Sequence, residues 1–441
     1  MTREVKEVLS TADGGPVGPP DIEAIQQRAR RLTLRRGGAV AAVAVVLIVA
    51  VIGVAGGFER PRLPLVGESP ELAPTEPTLL DAVDVPETGP PIWTTQLDAS
   101  AFADFGSGSQ LASGGQRLFV ASGHTEDAAV VALELATGEK AWRTDLDGSA
   151  SLHAANDELL IVSSQGGRVV ALDVSTGERI WEHRLPDGYQ AGTATVDDRI
   201  LYLVAGAGAE GDTSPPLVFA LDLDDGTLRW SSTLTAGTDP QWSPPTIVDD
   251  LLLVAATPAN PEVDAGNRVH ALQLADGTDA WTIDLGGRQG FTSRATAATD
   301  GVLHIRVAGV GVVTLDIQQG DISHTIEDAI LIGAGPSGSR YVAGLGEPAI
   351  VRAVDPRTGE TLDQQPTWQL EHDWAQIEVD TSTSVLLLPS TTTLLAIDTN
   401  SGTPTWRHTH HTPTYETLVL DDLLITANQD AQLVATPLPD R

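Results

Sequence analysis

The sequence has no cysteine and a single methionine in 441 residues. The missing thiol excludes disulfides, cysteine-ligated zinc, iron–sulfur clusters, a cysteine nucleophile and a lipid anchor attached through cysteine. Basic side chains are scarce, with 26 Lys and Arg against 60 Asp and Glu and a formal net charge of −34. A nucleic-acid partner needs a Lys/Arg footprint to displace its counterions, so that class is set aside. No Walker loop, no GxGxxG opening a helix and no Ser/His/Asp arrangement stands out. Aromatic residues make up only 4% of the chain, and the nine tryptophans outnumber both the six phenylalanines and the four tyrosines. Where the indoles fall therefore carries much of the information.

There is one long apolar run. No charge occurs from Gly37 to Phe58, and residues 39–55 read AVAAVAVVLIVAVIGVA. About 20 such residues span a bilayer as a helix, which satisfies its own backbone. Arg28, Arg30, Arg31, Arg35 and Arg36 precede the run, so the positive-inside rule places residues 1–36 in the cytoplasm and everything after 58 outside. The rival reading, a cleaved signal peptide, requires an unusually long basic region and an overlong apolar core. We expect an uncleaved single-pass anchor in the cytoplasmic (plasma) membrane. Within 1–36, Asp21 can cap a short basic helix over Ile22–Leu34 that lies against anionic lipid.

Residues 1–36 carry 7 basic and 5 acidic side chains, so the acidic excess lies entirely in the outer portion. From Glu59 to Pro91 eight prolines mix with Glu, Asp and Thr and no apolar period appears. That composition predicts a Pro-rich acidic tether over 59–91, with a reach of about 3.1 Å per residue in polyproline II.

Beyond residue 92 one phrase recurs. It reads VVALELATGEKAW over 130–142, VVALDVSTGERIW over 169–181, VFALDLDDGTLRW over 218–230 and VHALQLADGTDAW over 269–281. Weaker copies end at His324, Asp363 and Trp406. The glycines Gly138, Gly177, Gly226, Gly277, Gly320, Gly359 and Gly402 are spaced 39 to 51 residues apart, a period that signals a propeller. Each phrase reads as an apolar strand, an Asp that ends it, a turn whose Gly takes positive φ, and a returning strand with Trp at Gly+4. Two further strands lie upstream of each, giving four-stranded blades.

Seven such indole positions are followed at the carboxyl end by three strands without a fourth: Thr417–Leu420, Leu423–Ala427 and Gln432–Thr436. At the amino end, Thr88–Trp93 has the Gly+4 Trp without preceding strands. Pairing the two orphans closes the ring at eight blades rather than seven and leaves no open edge between the chain ends. The predicted fold is all-β, an eight-bladed propeller over 92–438 preceded by one transmembrane helix at 37–58.

The segment Ala132-x-Glu134-x-Ala136-Thr137-Gly138-Glu139-Lys140-x-Trp142 resembles the tryptophan-docking motif of pyrroloquinoline-quinone (PQQ) repeat propellers. That family includes the quinoprotein alcohol dehydrogenases and non-enzymatic, BamB-like propellers. Ala171, Asp173, Thr176, Gly177 and Trp181 repeat the match, as do Ala220, Asp222, Gly226 and Trp230. The resemblance implies that Trp93, Trp142, Trp181, Trp230, Trp281 and Trp406, with Gly138, Gly177, Gly226, Gly277 and Gly402, are structural docking residues between neighbouring blades. His324 and Asp363 break the pattern, which suggests looser docking in the fifth and sixth blades. The quinoprotein enzymes hold PQQ over the channel with Ca²⁺, acidic ligands, a stacking tryptophan and often a vicinal disulfide. This chain has no cysteine and no substantial insertion to roof a site, so no cofactor, no catalytic residue and no enzyme activity are expected.

Candidate metal clusters are incomplete. Arg407-His408-Thr409-His410-His411 offers an HxH on a strand end and Glu371-His372-Asp373 is a second cluster, but neither supplies a full ligand set. Asp222-x-Asp224-Asp225-Gly226 falls where the repeat demands a hairpin and reads as a turn rather than a calcium loop. We therefore expect no metal site.

Strand alternation puts the turns between first and second and between third and fourth strands on one face. Connections between second and third strands, and from blade to blade, lie on the other. Just before the first strand of most blades sits an aromatic: Phe105, Tyr189, Trp242, Phe291, Trp374 and Tyr415. The insertions Ala205–Pro216 and Ala255–Asn267 share that face. It is the candidate partner-binding face, since aromatic anchors dominate contact energy; the alternative is that the rings pack the channel mouth. The expected function is a membrane-anchored, monomeric, non-catalytic scaffold for envelope or secreted proteins. The alternatives are a PQQ-dependent dehydrogenase and a transmembrane ligand sensor reporting through residues 1–36.

Overall fold

The computed structural model describes residues 77–439 except 80–82, 98–110, 123–127, 149, 198, 208–213, 236–239, 243, 259–266, 287–295, 300, 308–309, 335–338, 345–348, 363–364, 371–384, 390–392, 411–413, 421 and 429–430. The chain divides into two units, Met1–Glu71 and Leu72–Arg441. The expected cytoplasmic segment, membrane helix and first part of the tether lie outside the described residues. No helix among the described residues is long and apolar enough to cross a membrane.

The second unit consists of strands in eight sheets. In the second blade the strands Ala150–Ala155, Leu159–Ser164, Arg168–Asp173 and Arg179–Arg184 pair antiparallel in chain order. The middle two are almost wholly buried, because blades stack face to face and cover both sides of the sheet. The outermost strand buries only Trp181, its other residues facing the rim. Blades one, three and five repeat this pattern. In the fourth, the inner strand is split into Pro240–Trp242 and Thr246–Val248, both paired with Leu251–Pro258. Three strands of the seventh are described, Val385–Pro389, Thr393–Asp398 and Pro404–Thr409.

The turn between third and fourth strands has a local cause. In the second blade the Asp173 carboxylate accepts the N–H groups of Ser175 and Thr176 at 2.9 and 2.8 Å, forming an Asx turn. The Ser175 hydroxyl, donating at 2.6 Å, and then these N–H groups stabilise the ionised carboxylate and hold its pKa below the ordinary value. Gly177, at φ +73°, completes the reversal, and a bulge between Arg179 and Trp181 swings the indole toward the next blade.

The ring closes through its two ends. Trp93–Gln96 pairs antiparallel with Gln432–Pro437, Trp93 opposite Ala435 and Gln96 opposite Gln432. The core is accordingly eight apolar clusters, one in each seam between blades.

One expectation needs correction. The composition of 59–91 predicts a tether, yet its last part belongs to the propeller rim. Thr78–Leu79 adds a parallel strand to Trp368–Leu370 on the sixth blade. Arg407 N–H donates to Pro86 O at 2.9 Å, Thr88 N–H donates to Arg407 O at 2.8 Å, and Arg407 Nη2 donates to Val83 O at 2.7 Å. Val83 and Val85 pack against the cluster between blades six and seven. The unpaired edge of an outer strand is a template for pairing, and this segment takes it up despite its prolines.

Candidate functional site

The seams show what the repeat is for. Trp181 is 7% exposed. It lies on Gly226 of the third blade, where a Cβ would come within 2.6 Å of indole Cε3. Its Nε1–H donates to Leu223 O at 2.8 Å. Trp93 sits likewise on Gly138, Trp142 on Gly177, Trp230 on Gly277 and Trp281 on Gly320. Their N–H groups donate to Leu135, Val174, Leu274 and Ile317 at 2.8 to 2.9 Å. Each glycine thus answers two demands, a left-handed turn and a flat seat for the neighbour's ring. Two residues beyond the indole, Thr95 and Thr144 donate to the carbonyls of Gly138 and Gly177 at 2.7 and 2.6 Å.

The remaining seams depart from this scheme. His324 takes the indole's place on Gly359, whose Cβ would meet imidazole Cδ2 at 2.7 Å. In the sixth blade Asp363 lies outside the described residues. The indole is supplied instead by Trp368, opposite Val351 and 1% exposed, edge-on to Tyr341 at 5.3 Å between centroids. The expected loose docking of the sixth blade is therefore corrected: the strand is interrupted and resumes with its indole five residues after position 363. A tryptophan displaced from Gly+4 was visible in the sequence, but the period did not point to it. Trp406 is 1% exposed, and its indole N–H has no hydrogen-bond partner. Its neighbour is the eighth blade, whose third and fourth strands come from opposite ends of the chain.

Of the candidate partner-binding residues, Phe105, Phe291 and Trp374 lie outside the described residues. Trp242 ends the inner strand Pro240–Trp242, and Tyr415 is second in the inner strand Thr414–Leu420. Tyr189 begins the inner strand of the third blade and packs against the cluster between blades two and three, while its hydroxyl donates to Pro215 O at 2.8 Å. That bond ties the inner strand to the end of the Ala205–Pro216 insertion. This ring therefore supports a loop of the candidate face.

Several titratable groups in the body are held neutral by burial or paired. Burial lowers the pKa of His153 to about 4, and its Nε2 lies 2.7 Å from Ser163 Oγ. Burial likewise lowers His270. Asp222 accepts Asp224 N–H at 3.0 Å and pairs with Arg229, which holds its carboxyl below the ordinary range: a turn, as the repeat demanded. His408 and His410 share a strand face with ring centroids 6.4 Å apart, and His408 Nδ1 lies 2.8 Å from Thr88 Oγ1. The cluster at 371–373 lies outside the described residues, and no three metal-ligating side chains converge among those described.

Comparison with known proteins adds the family. The family model described as outer membrane protein assembly factor BamB matches residues 78–208, 165–329 and 347–437, well over half the chain. The chain belongs to this family. Among solved structures it is similar to BamB from Moraxella catarrhalis, at 16% identity and TM-score 0.51 over 80% of this chain and 98% of that one. It is also similar to the quinohemoprotein alcohol dehydrogenase ADHIIG from Pseudomonas putida HK5, at 12% identity and TM-score 0.55 over 79% and 76% of the two chains. The computationally designed Ika8 protein matches at 14% identity and TM-score 0.55, over 75% of this chain and 98% of its own. Identities this low establish the shared fold. No curated protein sequence matches.

Because the BamB-like fold is shared with quinoproteins, the channel can be tested for a quinone. PQQ is a multiply charged carboxylate and needs cationic side chains, and its Ca²⁺ needs acids. The described inner strands carry mainly small and aliphatic residues, with His153, Tyr189, Gln190 and Tyr415 among them and no Lys or Arg. Their one acid, Glu416, already accepts Leu111 N–H at 3.2 Å. Among the described residues this lining supplies neither the cations nor the free acids that the cofactor needs.

Proposed function

We propose that this BamB-like propeller is a non-catalytic protein-binding platform of the cell envelope, held outside the cytoplasmic membrane by an uncleaved helix at 37–58. One observation carries the reading: the two faces of the ring differ. The turns between third and fourth strands are near copies of one another, each closed by a glycine at φ +66 to +73°, and Gly138, Gly177, Gly226, Gly277 and Gly320 each seat an indole. Connections on the other face vary, and those of the third and fourth blades, 208–216 and 259–266, run much longer than the turns. A rigid scaffold with one uniform face and one variable face puts recognition on the variable loops. The family match to an assembly factor and the charge-poor inner strands among the described residues agree with docking rather than chemistry.

The test replaces Trp242 and Trp374 together by alanine in the full chain. We expect a folded propeller that no longer captures its envelope partner; loss of folding with the pair would instead make these rings channel packing. The quinohemoprotein likeness supports a second reading, a PQQ-dependent dehydrogenase. Purification in the presence of PQQ and Ca²⁺ tests it, and bound quinone absorbance would favour it over the platform.

A further inference from the structure

The seam between blades five and six differs from its sisters by a whole row of side chains. In the first blade the row across the outer three strands is Phe119, Ala132 and Trp142. In the third it is Tyr202, Ala220 and Trp230. In the fifth the same row is His304, Thr314 and His324, joined by hydrogen-bond distances of 3.0 and 3.1 Å through the threonine hydroxyl. On the facing sheet, Arg340 lies opposite Val354 and Arg352 opposite Val342. Both valines pack into this seam's cluster with Val312 and Ile326 of blade five, so strand alternation turns the two arginines to the same seam. Arg306, opposite Val312, shares the face of His304. Positive charge is thus gathered in one interior seam of a strongly acidic protein.

Three further facts mark the place as built for a ligand. His304 is 2% exposed, yet its Nε2 has no hydrogen-bond partner, and the buried Nε of Arg352 has none either. A buried polar group without a partner is costly to keep. Among the described residues the seam's cluster has five buried apolar members, and an imidazole fills less space than the indole it replaces. Burial, reinforced by the Arg340 charge, keeps His304 neutral, with its pKa lowered to about 3. An anion would relieve that like-charge field.

We propose that the seam between the fifth and sixth blades is a binding site for a small oxyanion of the phosphate class, held by Arg306, Arg340, Arg352 and the free Nε2 of His304. Guanidinium forks match tetrahedral oxyanions, and a second blade supplying half the donors makes the ligand a bridge across the seam. Its test is thermal unfolding of the full chain in detergent against inorganic phosphate, at constant ionic strength balanced with chloride. The midpoint should rise steadily with phosphate, as for any ligand bound only by the folded state. Arg352→Gln should weaken the apparent affinity at least about tenfold, the loss of one charge-assisted contact. The triple variant His304→Phe, Thr314→Ala, His324→Trp, which restores the first blade's row, should fold and lose the phosphate response. If the triple variant does not fold, Arg306→Gln poses the same question, and a tenfold loss again supports the site. No rise with phosphate, or an equal rise in wild type and in the variants, overturns the proposal.

Discussion

Five consecutive seams of this propeller, from blade eight to one through blade four to five, are locked by the same pair, an indole on the next blade's glycine. The other three are each locked differently: by an imidazole at five to six, by a displaced Trp368 at six to seven, and by Trp406 at seven to eight. Two of these departures, at six to seven and seven to eight, lie where the amino-terminal strap, residues 77–79 and 83–91, runs along the rim of blades six to eight. A period can therefore lapse locally when another part of the chain covers the lapse. The strap brings Val83 and Val85 to the seam between six and seven and adds backbone hydrogen bonds on the outer strands.

The comparison can be broken by substitution. Trp368→Ala should cost about 3–5 kcal/mol in chemical denaturation, matching Trp181→Ala, because both remove a nearly fully buried indole. A much smaller loss at Trp368 would mean that the strap, rather than the displaced ring, holds that seam. Acid sharpens the contrast in a different way. His304 has its folded pKa lowered to about 3 from an ordinary 6.5, so between those values the unfolded chain binds a proton that the folded chain excludes. Stability should fall as pH drops through that window, at about 1.4 kcal/mol per unit from this group alone. Measured by denaturation at stepped pH, the slope should flatten in the His304→Phe, Thr314→Ala, His324→Trp variant.

Smaller effects probe the regular seams. Gly226→Ala places a Cβ at φ +70° against the Trp181 ring and should cost about 1–3 kcal/mol in the same assay. An effect near zero would show that the indole can lift off its seat. Thr144→Val removes the bond to Gly177 O and should cost about 1 kcal/mol.

The fold was largely legible because its determinants are local and repeated. Asp173, Gly177 and Trp181 fix a turn, a bulge and a seam within nine residues, and the period copies them around the ring. Closure could be inferred because Trp93 lacked preceding strands while Gln432–Pro437 lacked a partner. What escaped the period was non-local. The pairing of Thr78–Leu79 with Trp368–Leu370 joins segments with no shared motif, and proline content argued for a free tether. The row His304, Thr314, His324 was half visible, since only His324 occupies a position that the repeat marks. The candidate docking face rests on strand alternation, which fixes sides of the ring but not how Trp242 or Tyr415 is presented.

The most direct measurement is a photocrosslinker carried in living cells at single positions on each face, in the 208–216 and 259–266 connections on one and at Thr176, Asp225 and Asp276 in the glycine turns on the other. The account predicts adducts with one defined partner from the connections and none from the turns. Adducts from the turns alone, or equally from both faces, would contradict it.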